Sequence, residues 1–438
     1  MAEYFGFLMF PMLLAFLLMG FPVALSMIST AFVFGLIQFG TTAPFQLISQ
    51  ISNVAGNFVL AAVPLFVFMG AFLERSGIAS RLFEAIHIWT WRLPGSMALN
   101  TIIMGAVFAA ISGVVGATEA VIGLLTVPIM LQFGYDKRLI SGTVCASGSL
   151  GTVIPPSITV IVLAPIANVS VGELFAGLLF PGLIMAVLFA LYVVGVAIVK
   201  PTMAPRATQT EKTYTLAEKI RITAVALLPA SVLIIAVLGT ILMGVATPTE
   251  AAAVGAIGAT GLSILYGAFS WRLLGDALMQ TLLITTMILV IVLGGNMFAG
   301  VFFSSGGMIA IQTLLNDLGI PSWGVIAMIL ILTFLAGFVL DLISIILIII
   351  PISMPLVLSM GFNPIWFCIV FLVVLQTSYL TPPMAPSIFY LRGVSPPEIT
   401  LRHMYSGVIP FICLQLVTMA LVIWVPSLST WLPKVLLG

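Results

Sequence analysis

Long apolar stretches separated by sparse charges dominate this chain. No Asp, Glu, Lys or Arg lies between Glu3 and Glu74, and further uncharged runs cover 139–172, 174–199, 222–249, 277–316 and 342–391. A helix needs about 20 apolar residues to cross the hydrocarbon core of a bilayer, so each run can hold at least one spanning helix. We predict about ten spans, at 4–20, 21–39, 54–73, 139–167, 174–199, 223–243, 251–270, 277–303, 364–390 and 405–430.

Two further apolar segments, 97–132 and 322–357, are interrupted in the middle. The interruption runs from Ser112-Gly113 to Thr118-Glu119 in the first segment, and from Gly337 to Ser344 in the second. Each segment is left with two arms of roughly 12–17 residues, which are shorter than an ordinary span. We interpret both as re-entrant hairpins that enter and leave on one side, because irregular backbone at membrane depth needs protein or water around it.

The composition supports a membrane protein and argues against several other classes. Hydrophobic residues make up 62% of the 438 residues and charged residues only 6%, against about 25% charged in soluble domains. The net charge of +1 indicates no nucleic-acid partner. The three cysteines lack CxxC spacing and are interpreted as small core residues. Neither HExxH nor a GxxxxGKT-type phosphate loop occurs, so we expect no metal hydrolysis, no ATP hydrolysis and no cofactor.

The basic residues predict an orientation, because positive charges concentrate on the cytoplasmic side of membrane proteins. With the central loop 200–221 in the cytoplasm, every basic residue except Lys434 falls on that side. The segment 81–92, which contains Trp89 and Trp91, is then predicted to be a helix lying on the cytoplasmic face. The basic residues of the central loop are Lys200, Arg206, Lys212, Lys219 and Arg221.

The two halves of the chain resemble each other in five short patterns that recur in the same order. The predicted topology places Asp136 inside and Asn363 outside with an odd number of crossings between them, so the second copy is inverted. We assign the repeats to 1–210 and 211–438. Inverted repeats with interrupted segments at matching positions point to a transport site. The matched patterns are 133–136 with 360–363, Pro155-Pro156 with Pro382-Pro383, Ser170 and Glu173 with Ser395 and Glu398, Pro181 with Pro410, and Gly113 with Gly337.

Two predicted spans contain a double proline beside hydroxyl-bearing residues. Proline removes a backbone donor and clashes with the preceding turn, so each pair breaks its helix and exposes carbonyls on one side and amides on the other. Carbonyl and hydroxyl oxygens suit Na⁺, and amide-rich helix N-termini attract a carboxylate; a plain kink is the alternative. The predicted cation and substrate residues are Ser147, Ser149, Gly151, Thr152, Pro155, Pro156 and Ser157 at the first break, and Gln376, Thr377, Ser378, Thr381, Pro382, Pro383 and Ser387 at the second.

The hairpin tips supply the other candidate cation ligands. They are Ser112, Gly113, Thr118 and Glu119 at the first tip, and Gly337, Asp341 and Ser344 at the second. An acid at membrane depth is costly unless it is paired or ligating, so Glu119 and Asp341 are candidates for cation or proton coupling; capping the second hairpin arm is the alternative for both.

Three other acids in the apolar runs fit helix capping boxes. They are Glu173, Glu250 and Glu398, each three residues after a Ser or Thr. No basic residue lies deep in a span, so an anionic substrate would be held by helix N-termini, hydroxyls and a bound cation.

Four stretches are distinctive in combination. They are 134–137 (Gly-Tyr-Asp-Lys), 149–157 (Ser-Leu-Gly-Thr-Val-Ile-Pro-Pro-Ser), 244–251 (Gly-Val-Ala-Thr-Pro-Thr-Glu-Ala) and 380–387 (Leu-Thr-Pro-Pro-Met-Ala-Pro-Ser). With these stretches the chain resembles, over nearly its whole length, the large membrane subunit of tripartite ATP-independent periplasmic (TRAP) transporters. The resemblance implies an all-α, inverted-repeat, elevator-type transporter with two re-entrant hairpins and two broken helices that carry the Na⁺ and substrate sites.

The resemblance also implies partners and a driving force. It implies a small four-helix membrane subunit, a periplasmic substrate-binding protein, and a location in a bacterial or archaeal cytoplasmic membrane. Na⁺ would be the coupling ion and the only metal, and the substrate an organic acid such as a C4-dicarboxylate, a sialic acid or a 2-oxo acid.

The first hairpin tip departs from the family pattern. Many members carry Ser-Gly-Ser there, whereas this chain reads Ser-Gly-Val-Val-Gly-Ala-Thr-Glu over 112–119. The difference weakens the transfer of a sialic acid or C4-dicarboxylate specificity. A self-sufficient anion symporter or antiporter of similar inverted-repeat design is the alternative function. A membrane-embedded enzyme or channel is a third class, and no catalytic constellation in the sequence supports an enzyme.

Overall fold

The computed structural model describes residues 2–113, 115–205 and 214–438, and the regular elements in those ranges are all helical. The predicted all-α class is therefore confirmed. Among the described residues, six helical stretches are long and apolar enough to cross a membrane, or seven if the bent pair Ala62–Arg75 and Ile78–Thr90 is one span. Arg206 and Lys212 of the central loop lie outside the described residues.

The helices of the first part of the chain end at the central loop. They are α1 (Met9–Leu18), α2 (Val23–Phe39), α3 (Ala43–Ala55), α4 (Ala62–Arg75), α5 (Ile78–Thr90), α6 (Ser96–Ser112), α7 (Ala117–Gln132), α8 (Lys137–Ser149), α9 (Ile158–Ala167) and α10 (Val171–Val199). A 3₁₀ segment, Ala2–Leu8, precedes α1, and another, Gly40–Thr42, joins α2 to α3.

The second part of the chain continues the same way. Its helices are α11 (Leu216–Leu242), α12 (Pro248–Leu265), α13 (Trp271–Ser304), α14 (Gly307–Asp317), α15 (Ser322–Ala336), α16 (Leu342–Ser359), α17 (Pro364–Leu380), α18 (Pro386–Val394), α19 (Leu401–Trp424) and α20 (Ser427–Leu437).

Two predicted spans and one predicted hairpin arm differ most from the helices in the structure. The span predicted at 54–73 begins only at Ala62, because a turn in which the Asn57 side chain accepts from the Val59 amide (3.0 Å) precedes the helix. The span predicted at 405–430 is two helices, α19 and α20, separated at Pro426. The second arm of the predicted hairpin 322–357 is α16, whose 18 residues make it longer than the arms we predicted.

Short helices at the bends were only partly predicted. The interfacial helix expected at 81–92 is α5, which turns by 63° from α4 after Gly77 (φ +73°). A similar short helix, α14, follows α13 after Gly306 (φ +76°) and was not predicted. Neither was α3, whose polar residues are uncharged and therefore did not interrupt the apolar run.

Among the three predicted capping boxes, the one at Glu250 is complete, and at Glu173 only the Ser170 half of the box forms. The Glu250 carboxylate accepts from the Thr247 amide (2.8 Å), and the Ser170 hydroxyl accepts from the Glu173 amide (3.5 Å). The prediction for Glu398 was wrong. A turn in which the Ile399 amide donates to the Pro396 carbonyl delays the helix, so α19 is capped by Thr400 instead.

The first halves of the two broken helices lie at the centre of the molecule. Every residue of α17 from Trp366 to Leu380 is buried, as is every residue of α8 from Leu139 to Ser149. Small residues let other helices approach closely: Gly142 of α8 meets Gly407 of α19 backbone to backbone, and Gly105 of α6 meets Ser147. Outside this centre, α13 packs against α2 and α4, and α4 packs against α12.

Candidate transport site

Both hairpin tips and both helix breaks border one central cavity of about 180 Å³. Helix α13 contributes a further part of its wall. The residues around it are Gly113, Val115, Ile158, Thr159, Ile284, Met287, Ile288, Gly337, Leu340, Asp341, Leu342, Ile343, Ser378, Tyr379, Pro386 and Tyr390. The structure therefore brings together the four interruptions that the sequence identified separately.

At the first break, α8 ends in a 3₁₀ turn at Leu150–Thr152, and α9 restarts at Ile158. The Ser147, Ser149 and Thr152 hydroxyls donate to the carbonyls of Val144, Ala146 and Ser149, each at 2.9 Å. Their oxygens keep lone pairs for a cation because a hydroxyl accepts as well as donates. Gly151 is buried, the Pro155–Pro156 peptide bond is cis, and the fully buried Ser157 hydroxyl has no partner among the described residues.

The second break is built in a similar way. Helix α17 ends at Leu380 and α18 restarts at Pro386, with a cis bond between Pro382 and Pro383 in the intervening segment. Its hydroxyls also donate to their own chain, since Thr377, Ser378 and Thr381 bond the carbonyls of Val373 (2.8 Å), Leu375 (2.7 Å) and Thr377 (2.6 Å). Ser387 instead reaches the other broken helix and donates to the Cys145 carbonyl (3.3 Å).

The first hairpin tip is docked on the first break. The Gly113 carbonyl accepts from the Ile158 amide (3.2 Å), and a Cβ atom at Gly113 would lie 2.6 Å from the Pro156 carbonyl oxygen. Gly113 also has φ +59°, a conformation that favours glycine. The Ser112 and Thr118 hydroxyls bond each other across the tip (3.1 Å).

The second tip is docked on the second break in the same manner. Gly337 abuts the Ser378 side chain with no room for a Cβ atom. Asp341 is the N-cap of α16: its carboxylate accepts from the amides of Ile343 (3.1 Å) and Ser344 (3.2 Å) and from the Ser344 hydroxyl. Asp341 therefore caps α16, which was the alternative role for this residue, and it also lines the cavity.

The structure separates Glu119 from Asp341. Glu119 is fully buried and does not line the cavity. It packs against Gly148 of α8, one carboxylate oxygen accepts from the Gly116 amide (2.6 Å), and the Tyr379 and Ser387 hydroxyls face it. The other oxygen, Oε1, has no hydrogen bond to the described residues. Glu119 thus caps α7 while leaving one oxygen without a partner in the protein interior.

A buried amide cluster joins the two breaks, and half of it was missed from the sequence. The Gln376 amide nitrogen donates to the Ser149 hydroxyl (3.2 Å), and so does that of Gln415 on α19 (3.5 Å). Both Oε1 atoms are buried without a partner among the described residues. Gln415 could have been noticed as the only amide side chain in the apolar span 405–430.

The chemistry of the described residues suits a hard cation bound by neutral oxygens. No group of three or more His, Cys, Asp or Glu residues that could hold a metal occurs in that part of the chain. Hydroxyl and carbonyl oxygens concentrate instead at the breaks and tips, which is the donor type that Na⁺ takes in transporters with broken helices.

Comparison with a solved transporter structure supports the architecture. The structure of the YdaH transporter of Alcanivorax borkumensis matches 95% of this chain and 98% of its own, with a TM-score of 0.66 at 15% sequence identity. At that identity the match shows a shared fold.

Comparison with known sequences shows the family. This chain is 29% identical over 388 residues to a C4-dicarboxylate TRAP transporter large permease of Pseudomonas aeruginosa, covering 88% of each chain. It is also 29% identical to an isethionate TRAP transporter permease protein of Oleidesulfovibrio alaskensis, covering 94% of this chain and 64% of that protein. The family profile for the tripartite ATP-independent periplasmic transporter, DctM component, matches residues 10–428. The chain therefore belongs to the DctM family of TRAP transporter large permeases, as its four motif stretches predicted, and is a multi-pass transport protein and not an enzyme.

Proposed function

We propose that this chain carries an organic carboxylate into the cell across a bacterial cytoplasmic membrane, together with Na⁺ and driven by an inward Na⁺ gradient. The observation that carries the proposal is the convergence of two hairpin tips and two helix breaks on one cavity. Helix breaks of this kind place half-helix amides and carbonyls at membrane depth without side-chain charge.

The carboxylate would bind at the two restarted helices. The side chains at the N-caps of α9 and α18, Ser157 and Ala385, make no capping hydrogen bond. The Ile158 amide donates to the Gly113 carbonyl and Pro386 has no N–H, so it is the later amides of the two first turns that would meet an anion. Such amides and the positive end of the helix dipole attract an anion. By contrast, α16 is already capped by Asp341.

Na⁺ would bind at the tips and breaks, where carbonyl and hydroxyl oxygens lie close together. Asp341 borders the cavity, and its negative charge would stabilise a cation there. Glu119 does not border the cavity, so it would stabilise such a cation only from a greater distance. Alternating access would follow from an elevator movement of the hairpins and broken helices along a scaffold that includes α13, α2, α4 and α12. The packing of these four helices on one another supports that division.

Two partners would complete the system: a small four-helix membrane subunit and a periplasmic substrate-binding protein. This chain matches only 64% of the isethionate permease protein DctMQ, so that protein contains a further segment that this chain lacks. We take this segment as support for a separate small membrane subunit here. The chain is proposed to be two inverted repeats, 1–210 and 211–438. In support, each half contains a helix followed by a short helix after a glycine with positive φ (Gly77 and Gly306), then a hairpin, then a broken helix.

The test is reconstitution of the chain in vesicles with the small subunit and binding protein encoded beside it. We expect uptake of a labelled organic acid only when all three proteins and an inward Na⁺ gradient are present. The variant Asp341→Asn, which keeps an oxygen for the α16 cap, should raise the Na⁺ concentration for half-maximal uptake at least tenfold. Asp317→Asn, at the exposed end of α14, should leave it unchanged. Robust uptake by the chain alone would favour the self-sufficient symporter instead.

A further inference from the structure

A second cleft lies between α5 and α11, on the side that the basic residues assign to the cytoplasm. Its volume is about 560 Å³, within the range of about 300–1,000 Å³ for small-molecule sites. Helix α11 is a candidate span that begins at Leu216, so the cleft lies where this span reaches the membrane surface. We propose that the cleft binds the headgroup of phosphatidylethanolamine, a phospholipid that carries a phosphate and a primary ammonium group.

Two bases and two acids line the cleft. Arg81 and Glu84 are three residues apart on α5, and so are Glu218 and Arg221 on α11. Each helix therefore turns one base and one acid towards the cleft. None of the four forms a salt bridge with another described residue. Charges of both signs that are not paired with each other suit a ligand that also carries one charge of each sign.

The phosphate would bind the two arginines. Arg81 is held in place, because its guanidinium lies over the Tyr266 ring (4.5 Å to the centroid) and donates to the Tyr266 carbonyl (3.3 Å). The Arg221 side chain makes no hydrogen bond to the described residues. A guanidinium presents five N–H donors in a planar fork that matches a phosphate, and basic pockets on the cytoplasmic side of membrane helices bind lipid headgroups.

The ammonium would bind Glu84, which has no hydrogen bond to the described residues and is exposed beside Arg81. Glu218 is less available, because one of its oxygens accepts from the Thr215 amide (2.7 Å) and hydroxyl (3.0 Å) at the start of α11. A primary ammonium group donates N–H hydrogen bonds to a carboxylate, and such charge-assisted bonds are strong. The trimethylammonium group of phosphatidylcholine has no N–H, so it cannot make this contact.

The acyl chains have an apolar surface to follow. Exposed apolar side chains recur along α11 at spacings of three and four residues, so they lie on one face of the helix. They are Val225, Leu228, Val232 and Ile235. Val225 also lines the cleft, next to Ile222. A phospholipid whose headgroup occupies the cleft can therefore lay its chains along this face of the span.

A bound lipid would strengthen the attachment of α5 to α11. Helix α5 packs against α11 and also against α6, the first arm of the first hairpin. Beside the cleft, the Trp89 indole N–H donates to the Thr223 hydroxyl (2.8 Å) and Lys219 lies over the Trp89 ring (5.9 Å to the centroid). A headgroup that contacts both Arg81 and Arg221 adds a bridge between the same two helices, so its binding should raise the thermal unfolding midpoint.

Native mass spectrometry of the purified full-length chain in detergent tests the inference. Dioleoyl phosphatidylethanolamine, phosphatidylcholine and phosphatidylglycerol are titrated separately, so that only the headgroup differs. We expect one site for phosphatidylethanolamine with a Kd at least tenfold lower than for the other two lipids. Arg221→Gln and Glu84→Gln should each weaken its binding at least tenfold. Arg402→Gln, at an exposed position of α19 outside the cleft, is the matched control and should bind like the parent chain.

Thermal unfolding gives a second readout. Phosphatidylethanolamine should raise the midpoint of the parent chain and of Arg402→Gln, and it should not raise that of Arg221→Gln. Equal affinity for phosphatidylcholine would overturn the ammonium contact with Glu84. Equal or tighter binding of phosphatidylglycerol would mean that the bases alone select the lipid. If Arg221→Gln binds like the parent chain, or Arg402→Gln weakens binding equally, the cleft is not the site. Because the cleft is separate from the central cavity, none of these outcomes decides the proposed transport function.

Discussion

At the scale of single residues, Glu119 is the most unusual feature of the molecule. It is the one Asp, Glu, Lys, Arg or His residue with a fully buried side chain in the described part of the chain. No basic residue there lies within ion-pair distance of it, and only one of its oxygens is hydrogen-bonded. A buried carboxylate without a cation costs several kcal/mol relative to a neutral group. We propose that this carboxylate takes part in cation or proton coupling during transport.

Glu119→Gln tests that explanation. The amide keeps an oxygen for the Gly116 N–H and removes the buried charge, so we expect the thermal unfolding midpoint to stay the same or rise. We expect Na⁺-driven uptake by the three-protein system to fall at least tenfold, because the carboxylate proposed for coupling is lost. The unfolding midpoint should not fall with it, since groups retained for function often cost stability. Uptake and unfolding would be measured on the same preparations.

Asp317→Asn, at the exposed end of α14, is the matched control and should change neither quantity. Normal uptake by Glu119→Gln at all tested pH values and Na⁺ concentrations would mean that Glu119 is only the cap of α7.

At the scale of helices, the site depends on close packing around the first halves of the broken helices. Helix α8 is held between α6, α7 and α19, and its contact with α19 is made at two glycines. Two backbones that touch this closely leave no space for even one methyl group. The breaks can therefore be positioned accurately although each is irregular, because the preceding half-helix is fixed by its neighbours.

Gly142→Ala should disrupt this packing. A Cβ atom at Gly142 would overlap the backbone of Gly407, and overpacking of this kind costs about 1–3 kcal/mol. We expect a lower thermal unfolding midpoint in detergent and weaker uptake. Gly195→Ala in α10, where nothing lies within 4 Å of the added atom, should be neutral or stabilise by about 0.5–1 kcal/mol. Equal midpoints for the two variants would contradict the close contact.

At the scale of the whole molecule, the orientation in the membrane follows from charge. The proposed topology puts Lys434 outside and Arg272 inside, and both side chains are exposed. The exposed native Cys413 has to be removed before labelling, whereas Cys145 and Cys368 are buried.

Single-cysteine labelling checks the orientation. In a Cys413→Ser background, Lys434→Cys should react with a membrane-impermeant maleimide in spheroplasts. Arg272→Cys should react only after the membrane is permeabilised. The reverse pattern would invert the topology and the direction of the proposed hairpins.

The sequence by itself determined the helical class, the membrane setting, the family and the four interruptions. It could do so because these depend on local chemistry: lipid demands apolar helices with internally satisfied backbones, and proline pairs and glycines break helices wherever they occur. The positions of charged residues are a poor guide to where helices begin and end, so the uncharged α3 and the short α14 were not predicted. Only the tertiary structure decided that Ile284 of α13 lines the cavity and that Gln415 meets Ser149. It also decided that Asp341 lines the cavity whereas Glu119 does not. Those facts depend on which faces of distant helices meet, and that is set by packing among residues far apart in the chain.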